Sequence, residues 1–333
     1  MAVTTWRKAI QEALYGIDGF YRRHRPADHF ATSANRSAVF AEAIVRVLRR
    51  VDAALGHPEE LTVVDIGAGS GELLSAVLAL STDPVDNSVD NPVDKSFADR
   101  LRPVCVELRH RPVGLDPRIE WRDLPPSRVT GAVLACEWLD NVPLDVATVD
   151  EGGRVCAELV DPVSGATTTG EAVDDEWLST WWPLSEPGQR AEIGRPRDLA
   201  WAGIVSTVKR GVALAVDYGH TRTHRPPFGT LAGFAAGREL PPVPDGSRDI
   251  TAHVAMDAVA AAGVAAGART TSLARQREAL RELGFSAERP PLAMASQDPA
   301  GYLRALARVG EVAELTDPYG LGAHWWLLQR VSC

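Results

Sequence analysis

Lysine is nearly missing from this 333-residue chain: Lys8, Lys95 and Lys209 are all it has, and arginine carries the rest of the positive charge. With 35 basic against 44 acidic residues the net charge is −9, which disfavours a nucleic-acid partner held by phosphate neutralisation. Cysteine is scarce as well. Cys105, Cys136, Cys156 and Cys333 form no C-x-x-C and have no paired histidines nearby, so neither a metal site nor a disulfide framework is expected, and a reducing compartment fits. Long hydrophobic runs are also lacking. The most apolar stretch, Val254 to Ala268, is interrupted by Asp257 and is too short to span a bilayer. No signal-type apolar run follows the N-terminus, and Glu12 and Asp18 argue against a transit peptide, so the expectation is a cytoplasmic protein without a membrane partner.

What is present is an ordinary globular composition, with 45% hydrophobic and 24% charged residues. At roughly 150 residues per domain, the length suits one large domain or one domain with a small addition. Residues 4 to 24 and 36 to 56 read as helices, the second with Val39, Phe40, Ala43, Ile44, Val47 and Leu48 on one face. Leu61–Ile66, residues 103–108, Ala132–Cys136 and Val212–Val216 are short apolar runs of the kind found in sheets covered on both faces. Helical spacing between them, as over Glu72–Leu80, predicts a doubly wound α/β sheet. Leu273–Leu283 reads as a helix ended by Gly284, and His324–Val331 as a last strand.

Three stretches break this rhythm. Ser81–Ser96 contains the degenerate repeat DPVDNSVDNPVDK, a solvated insertion. Residues 146–173 carry β-rich runs around the turns at Glu151 and Val163, which predicts an antiparallel hairpin insertion. Residues 220–248 are dense in Pro and Gly and read as a long loop of lid or binding type. The expected division is therefore an N-terminal helical cap over 1–58, a first sheet half over 59–145, an insertion over 146–205, and a second half over 206–333 that includes the lid.

Asp65-Ile-Gly67-Ala68-Gly69-Ser70-Gly71 places three glycines between a strand and a helix, where a ligand would approach the backbone beside amides at a helix start. A dinucleotide site prefers G-x-G-x-x-G. The G-x-G-x-G here, with an acid two residues before it, resembles the motif of class I S-adenosylmethionine-dependent methyltransferases. Glu107 closes the next strand and would present a carboxylate to a ribose diol. It lies 42 residues beyond Asp65, or 26 once the insertion is set aside, against roughly 20 expected. A plain tight turn and a solvated strand end are the competing structural readings. The next strand ends in Cys136-Glu137-Trp-Leu-Asp140-Asn-Val-Pro143, and strand ends at a parallel sheet's carboxyl edge face the ligand crevice. Two carboxylates there suit a cationic substrate; the alternative is a cap by Asp140 and a surface pair by Glu137.

Glu137–Pro143 is similar to the N-E-x-x-D-A-x-P signature of the MidA-like methyltransferases, a family that includes a mitochondrial protein arginine methyltransferase. Asp217-Tyr-Gly219, Gly229-Thr-Leu231 and Asp249-Ile-Thr-Ala-His-Val254 resemble its D-Y-G, G-T-L and D-[IL]-T-A-H-V blocks in the same order. Phe30-Ala-Thr32-Ser33, with Phe40 and Glu42, resembles its N-terminal blocks, and Asp317–Gly322 its C-terminal one. The chain departs from the pattern at Asn35, Cys136, Ala232, Phe234 and Gly237.

The resemblance implies a Rossmann-like, seven-stranded class I methyltransferase sheet with N-terminal helices and a hairpin or helical insertion. It implies S-adenosyl-L-methionine as cofactor, held by Asp65, Gly67, Ala68, Gly69, Gly71, Glu107, Leu108, Asp123, Leu124 and Glu137. Glu137, Asp140 and His253 become the catalytic candidates, and Thr32, Ser33, Asp217 and Tyr218 the substrate-binding ones. Asp217 could equally serve only its own turn, and His253 could be structural. The implied reaction is N-methylation of an arginine guanidinium in a protein or peptide. A small-molecule acceptor and a non-catalytic assembly factor remain alternatives, with a dinucleotide-dependent oxidoreductase the weakest. No metal is expected, and a homodimer is compatible with the sequence. Trp177, Trp181 and Trp182 read either as an acceptor wall or as a hydrophobic patch under the insertion.

Overall fold

The computed structural model describes residues 3–24, 37–81 and 96–332. Thr32, Ser33 and Asn35, and nearly all of the Ser81–Ser96 insertion, lie outside the described residues. The chain divides into two compact units: Met1–Ala31 with Glu137–Ser206 and Asp217–Ala268, and Thr32–Cys136 with Thr207–Val216 and Arg269–Cys333. The helices grouped by the sequence in one N-terminal segment thus belong to different units.

The second unit is an α/β layer built on a mixed sheet. Its strands are β1 (Leu61–Ile66), β2 (Leu101–Val106), β3 (Glu120–Arg122), β4 (Val129–Cys136), β5 (Val208–Asp217), β6 (Thr270–Arg275) and β7 (Trp325–Val331). They lie in the order β6-β7-β5-β4-β1-β2-β3. β5, β4, β1, β2 and β3 pair in parallel, with Val64 opposite Val104 and Val133, while β6 pairs antiparallel with β7. Val63, Val64, Ala132, Val133, Leu134 and Val212–Val216 are all buried, the pattern of strands covered on both faces. Helix α1 (Ala38–Ala54) starts at Ser37, whose hydroxyl accepts the Val39 N–H, and its apolar face joins this core through Phe40, Ile44 and Leu48. Helix α2 (Glu72–Ser81) adds Leu73, Leu74, Val77 and Leu78. The helix expected from Leu273 begins only at Gln276, because Thr270–Arg275 pair with β7 first.

In the first unit, strands Asp145–Val149, Val155–Val160 and Thr167–Ala172 form the expected antiparallel insertion, extended by Thr4–Thr5 and Arg190–Ile193 into a five-stranded sheet. Helix Trp6–Tyr15 packs Trp6, Ile10 and Leu14 against Leu144, Val146, Val160 and Ile250 of the same unit. The expected long loop 220–248 is partly sheet. Ala232–Ala235 pairs antiparallel with both Arg238–Leu240 and Asp249–Thr251. Ala236 and Gly237, both at positive φ, form a two-residue hairpin turn between the first two of these strands. These strands are three or four residues long, too short for alternation to show among so many glycines and prolines.

Candidate active site

At the end of β1 the chain turns through Gly67, Gly69 and Gly71, each at positive φ. The Gly67 and Ala68 N–H groups donate to Val106 O at 2.9 and 3.3 Å, tying the turn to the end of β2. The Gly69 N–H donates to Glu107 Oε2 at 3.0 Å, and the Arg109 N–H to Glu107 Oε1 at 3.1 Å. The glycine turn and the strand-end acid paired from sequence are therefore in direct contact. A Cβ on Gly71 would stand 2.9 Å from a Leu115 methyl, and φ 83° strains any side chain there. Beside them, Glu107 N–H donates to Arg122 O, so Leu108 and Asp123-Leu124 leave the carboxyl ends of neighbouring strands β2 and β3. Leu108 and Leu124 are 63% and 75% exposed, two large apolar side chains offered to whatever lies over that edge. Asp65 is buried in β1, and burial, reinforced by the Glu72 and Glu107 carboxylates, pushes its pKa up to about 8.

The sequence's other candidates, apart from Thr32 and Ser33, come together within the first unit. Glu137 is half-buried and stands at φ 51°, in the left-handed region that non-glycine residues rarely adopt. The turn Leu139–Asn141 after it is buried. Asp140 Oδ2 accepts from the Thr251 hydroxyl at 2.7 Å and from the Tyr218 hydroxyl. Asp217 Oδ2 accepts the N–H groups of Leu139 and Asp140 at 3.0 and 3.3 Å. Both carboxylates thus serve internal bonds, and Asp217 secures the acid-bearing turn instead of its own. Asp217 is held well above the usual carboxylate range by burial and the neighbouring Asp140; burial raises Asp140 too. Asp249 accepts from Tyr21 OH at 2.9 Å and Asn141 Nδ2 at 3.0 Å, and burial, with Asp140 nearby, raises it to about 7. The His253 ring meets Tyr218 edge-on, with centroids 5.2 Å apart, and the main-chain N–H of His253 donates to Thr230 Oγ1 at 2.9 Å.

Two residues that hold this arrangement carry no sequence signal. The Arg197 guanidinium, 2% exposed, donates to the carbonyls of Asp140, Ala252 and His253. Buried Glu192 accepts the N–H groups of Thr230 and Leu231 at 2.7 and 3.0 Å, fixing the Gly229-Thr-Leu231 turn. In a chain this rich in arginine and acid, neither residue type stands out. Trp177 and Trp182 are buried in a core with Leu178 and Ala191, and Trp177 Nε1 donates to Asp198 at 2.6 Å, so the tryptophan cluster is hydrophobic core rather than an acceptor wall.

The model of a family described as S-adenosyl-L-methionine-dependent methyltransferase matches residues 39–274. The chain belongs to that family. The methyltransferase is an enzyme with S-adenosyl-L-methionine as cofactor and a methyl acceptor as substrate. A search of curated proteins finds no match. Among solved structures it resembles a Burkholderia thailandensis protein crystallised with S-adenosyl-homocysteine, at 23% identity and a TM-score of 0.79, covering 98% of this chain and 88% of that one. A native structure of a Burkholderia thailandensis protein of the same superfamily gives 22% identity and a TM-score of 0.75, covering 98% and 87%. These likenesses support the α/β methyltransferase fold. Among the described residues no group of His, Cys, Asp and Glu could hold a metal ion, and no helix is long and apolar enough to cross a membrane.

Proposed function

We propose that this methyltransferase transfers the methyl group to a guanidinium nitrogen of arginine in a protein or peptide, as the MidA-like resemblance implies. The observation that carries the cofactor side is the Gly69 to Glu107 contact at adjoining carboxyl ends of β1 and β2. Glu107 Oε1 is taken up by the main-chain and side-chain N–H groups of Arg109, while Oε2, which accepts the Gly69 N–H, retains a lone pair for a ribose hydroxyl. Leu108 and Leu124 supply apolar surface for the adenine, and Gly67 and Gly69 leave room for close approach. The S-adenosyl-homocysteine in the Burkholderia relative supports the same assignment. When bound, the cofactor supplies a methyl carbon activated by a cationic sulfur.

The rest of the work falls to this chain's own side chains. A guanidinium, with pKa near 13.8, arrives protonated. In our reading Glu137 accepts one or two of its N–H bonds and draws the positive charge away from the reacting nitrogen. Asp140, buried and engaged by Tyr218 and Thr251, shapes the turn that carries Glu137 instead of touching the acceptor. In the same reading His253, on the surface, takes the proton released by the methylated product.

The test is a labelled-methyl transfer assay on lysate of a strain lacking the protein, followed by mass spectrometry of the labelled species. Methylarginine in a protein or peptide is the expected product. Label on a small molecule alone would replace the acceptor, and failure of the wild type to bind S-adenosyl-homocysteine in calorimetry would remove the reading.

A further inference from the structure

A guanidinium as deeply buried as Arg197 ordinarily pairs with a carboxylate. Here its hydrogen bonds among the described residues end on main-chain carbonyls. Nη1 donates to Ala252 O and His253 O, both at 3.0 Å, Nη2 donates to Asp140 O, and Nε reaches Val142 O at 3.5 Å. These carbonyls belong to two segments more than a hundred residues apart in sequence: the acid-bearing turn 139–142 and the loop that presents His253. Ala252 N–H donates back to Asp140 O at 3.3 Å, so the fork closes a junction that the backbone has already begun. The carboxyl groups of Asp140 and Asp217 lie near the guanidinium without a direct bond to the fork. Only a rigid, planar group with donors on both ends can serve both segments at once; a lysine ammonium would reach one of them.

We propose that Arg197 is a positioning residue for methyl transfer: by holding Asp140, Val142, Ala252 and His253 in one frame it sets Glu137 and His253 at a fixed spacing for the acceptor. The proposal rests on the methyl-transfer reading above. It assigns Arg197 no contact with acceptor or cofactor. Its removal should therefore loosen two named segments and slow transfer, while leaving the glycine turn and cofactor affinity as they are.

The experiment compares the full-length wild type with R197K and R197M by three readouts: calorimetry with S-adenosyl-homocysteine, amide hydrogen exchange by mass spectrometry, and labelled-methyl transfer into the lysate. For both variants, affinity for S-adenosyl-homocysteine should stay within about twofold of wild type. Exchange in 138–143 and 251–254 should accelerate by about tenfold, with 61–71 unchanged. The kcat for transfer should fall by about tenfold or more at constant KM for S-adenosyl-L-methionine. R197M could lose the fold altogether; R197K, which keeps charge and length, then decides. Wild-type exchange rates at both segments in R197K overturn the proposal, as does a loss of cofactor affinity in step with transfer. A wild type that binds S-adenosyl-homocysteine but labels nothing overturns the transfer reading itself, and the positioning role with it. The first kind of failure is seen only in the variants, the second already in the wild type.

Discussion

The main-chain N–H of Gly69 donates to Oε2 of Glu107 over 3.0 Å, joining the glycine turn after β1 to the acid at the end of β2. A hydrogen bond to an ionised carboxylate contributes roughly 1.5–3 kcal/mol, and the same carboxylate is the proposed ribose ligand. E107A should therefore weaken S-adenosyl-homocysteine binding by about 10- to 100-fold in calorimetry. G69R should abolish it, since φ 61° costs a side chain roughly 1–2 kcal/mol and the arginine would fill the cradle. Wild-type affinity in E107A would detach Glu107 from the cofactor.

Asp65 gives a pH dependence with a definite sign. An unfolded aspartate titrates near 3.9, whereas burial raises the folded carboxyl to about 8. Between those values the folded state holds a proton that the unfolded state has released. Its contribution to stability is complete below about pH 4 and is lost as pH rises to about 8. D65N, which cannot ionise, should flatten the fall in urea midpoint between about pH 5 and about pH 8 relative to wild type. Parallel curves for the two proteins would show that Asp65 is ionised in the fold.

Glu137 sets activity against stability. Its left-handed φ stores strain of roughly 1 kcal/mol, which glycine would not suffer. E137G should therefore unfold at equal or higher urea concentration than wild type, and both E137G and E137Q should bind S-adenosyl-homocysteine normally. Labelled-methyl transfer should drop by about 100-fold or more in both. Full transfer by E137Q would take Glu137 out of the mechanism.

For Asp217, the amide and alanine variants should behave very differently. Asparagine can still accept the Leu139 and Asp140 N–H groups, and it replaces a carboxyl that burial already favours in its neutral form. Alanine leaves two buried donors unsatisfied, at roughly 1–3 kcal/mol each. Urea unfolding should place D217N within about 1 kcal/mol of wild type and D217A several kcal/mol below it. Equal stabilities would mean that the turn does not depend on this acid.

Glu192 holds the Gly229-Thr-Leu231 turn by two main-chain bonds and a 3.3 Å contact with the Thr230 hydroxyl. E192A should raise the rate of tryptic cleavage around Arg225 and Arg238 by about tenfold, through local opening, with E192Q intermediate. An unchanged digestion pattern would place the anchor of this segment elsewhere.

The chain's one-dimensional pattern was enough for the central strands of the sheet and for the contact between the glycine turn and the strand-end acid. Buried parallel strands are continuously apolar, so Val63–Ile66, Ala132–Cys136 and Val212–Val216 declare themselves. Three glycines at a strand-to-helix junction, followed by an acid at the next strand end, are a local code, and the Gly69 to Glu107 bond realises it. Where the code is not local it failed. The strands at Ala232–Ala235 and Arg238–Leu240 are too short to show a period, and Leu273–Arg275, expected to begin a helix, end a strand because β7 pairs with Thr270–Arg275. Ionisation was equally out of reach. Asp140 and Asp217 look like ligands beside Pro143 and Tyr218 in sequence, but in the fold Asp140 accepts from the Tyr218 and Thr251 hydroxyls, Asp217 accepts main-chain N–H groups, and burial raises the pKa of both. Arg197 and Glu192 were invisible because their partners are main-chain groups, which have no residue identity. The sequence by itself determined the central apolar strands and where the backbone must turn tightly. Only tertiary structure decided which carboxylates are buried, what each one holds, and which arginine ties the Asp140 turn to the His253 loop, because desolvation and hydrogen bonding depend on neighbours that sequence distance does not specify.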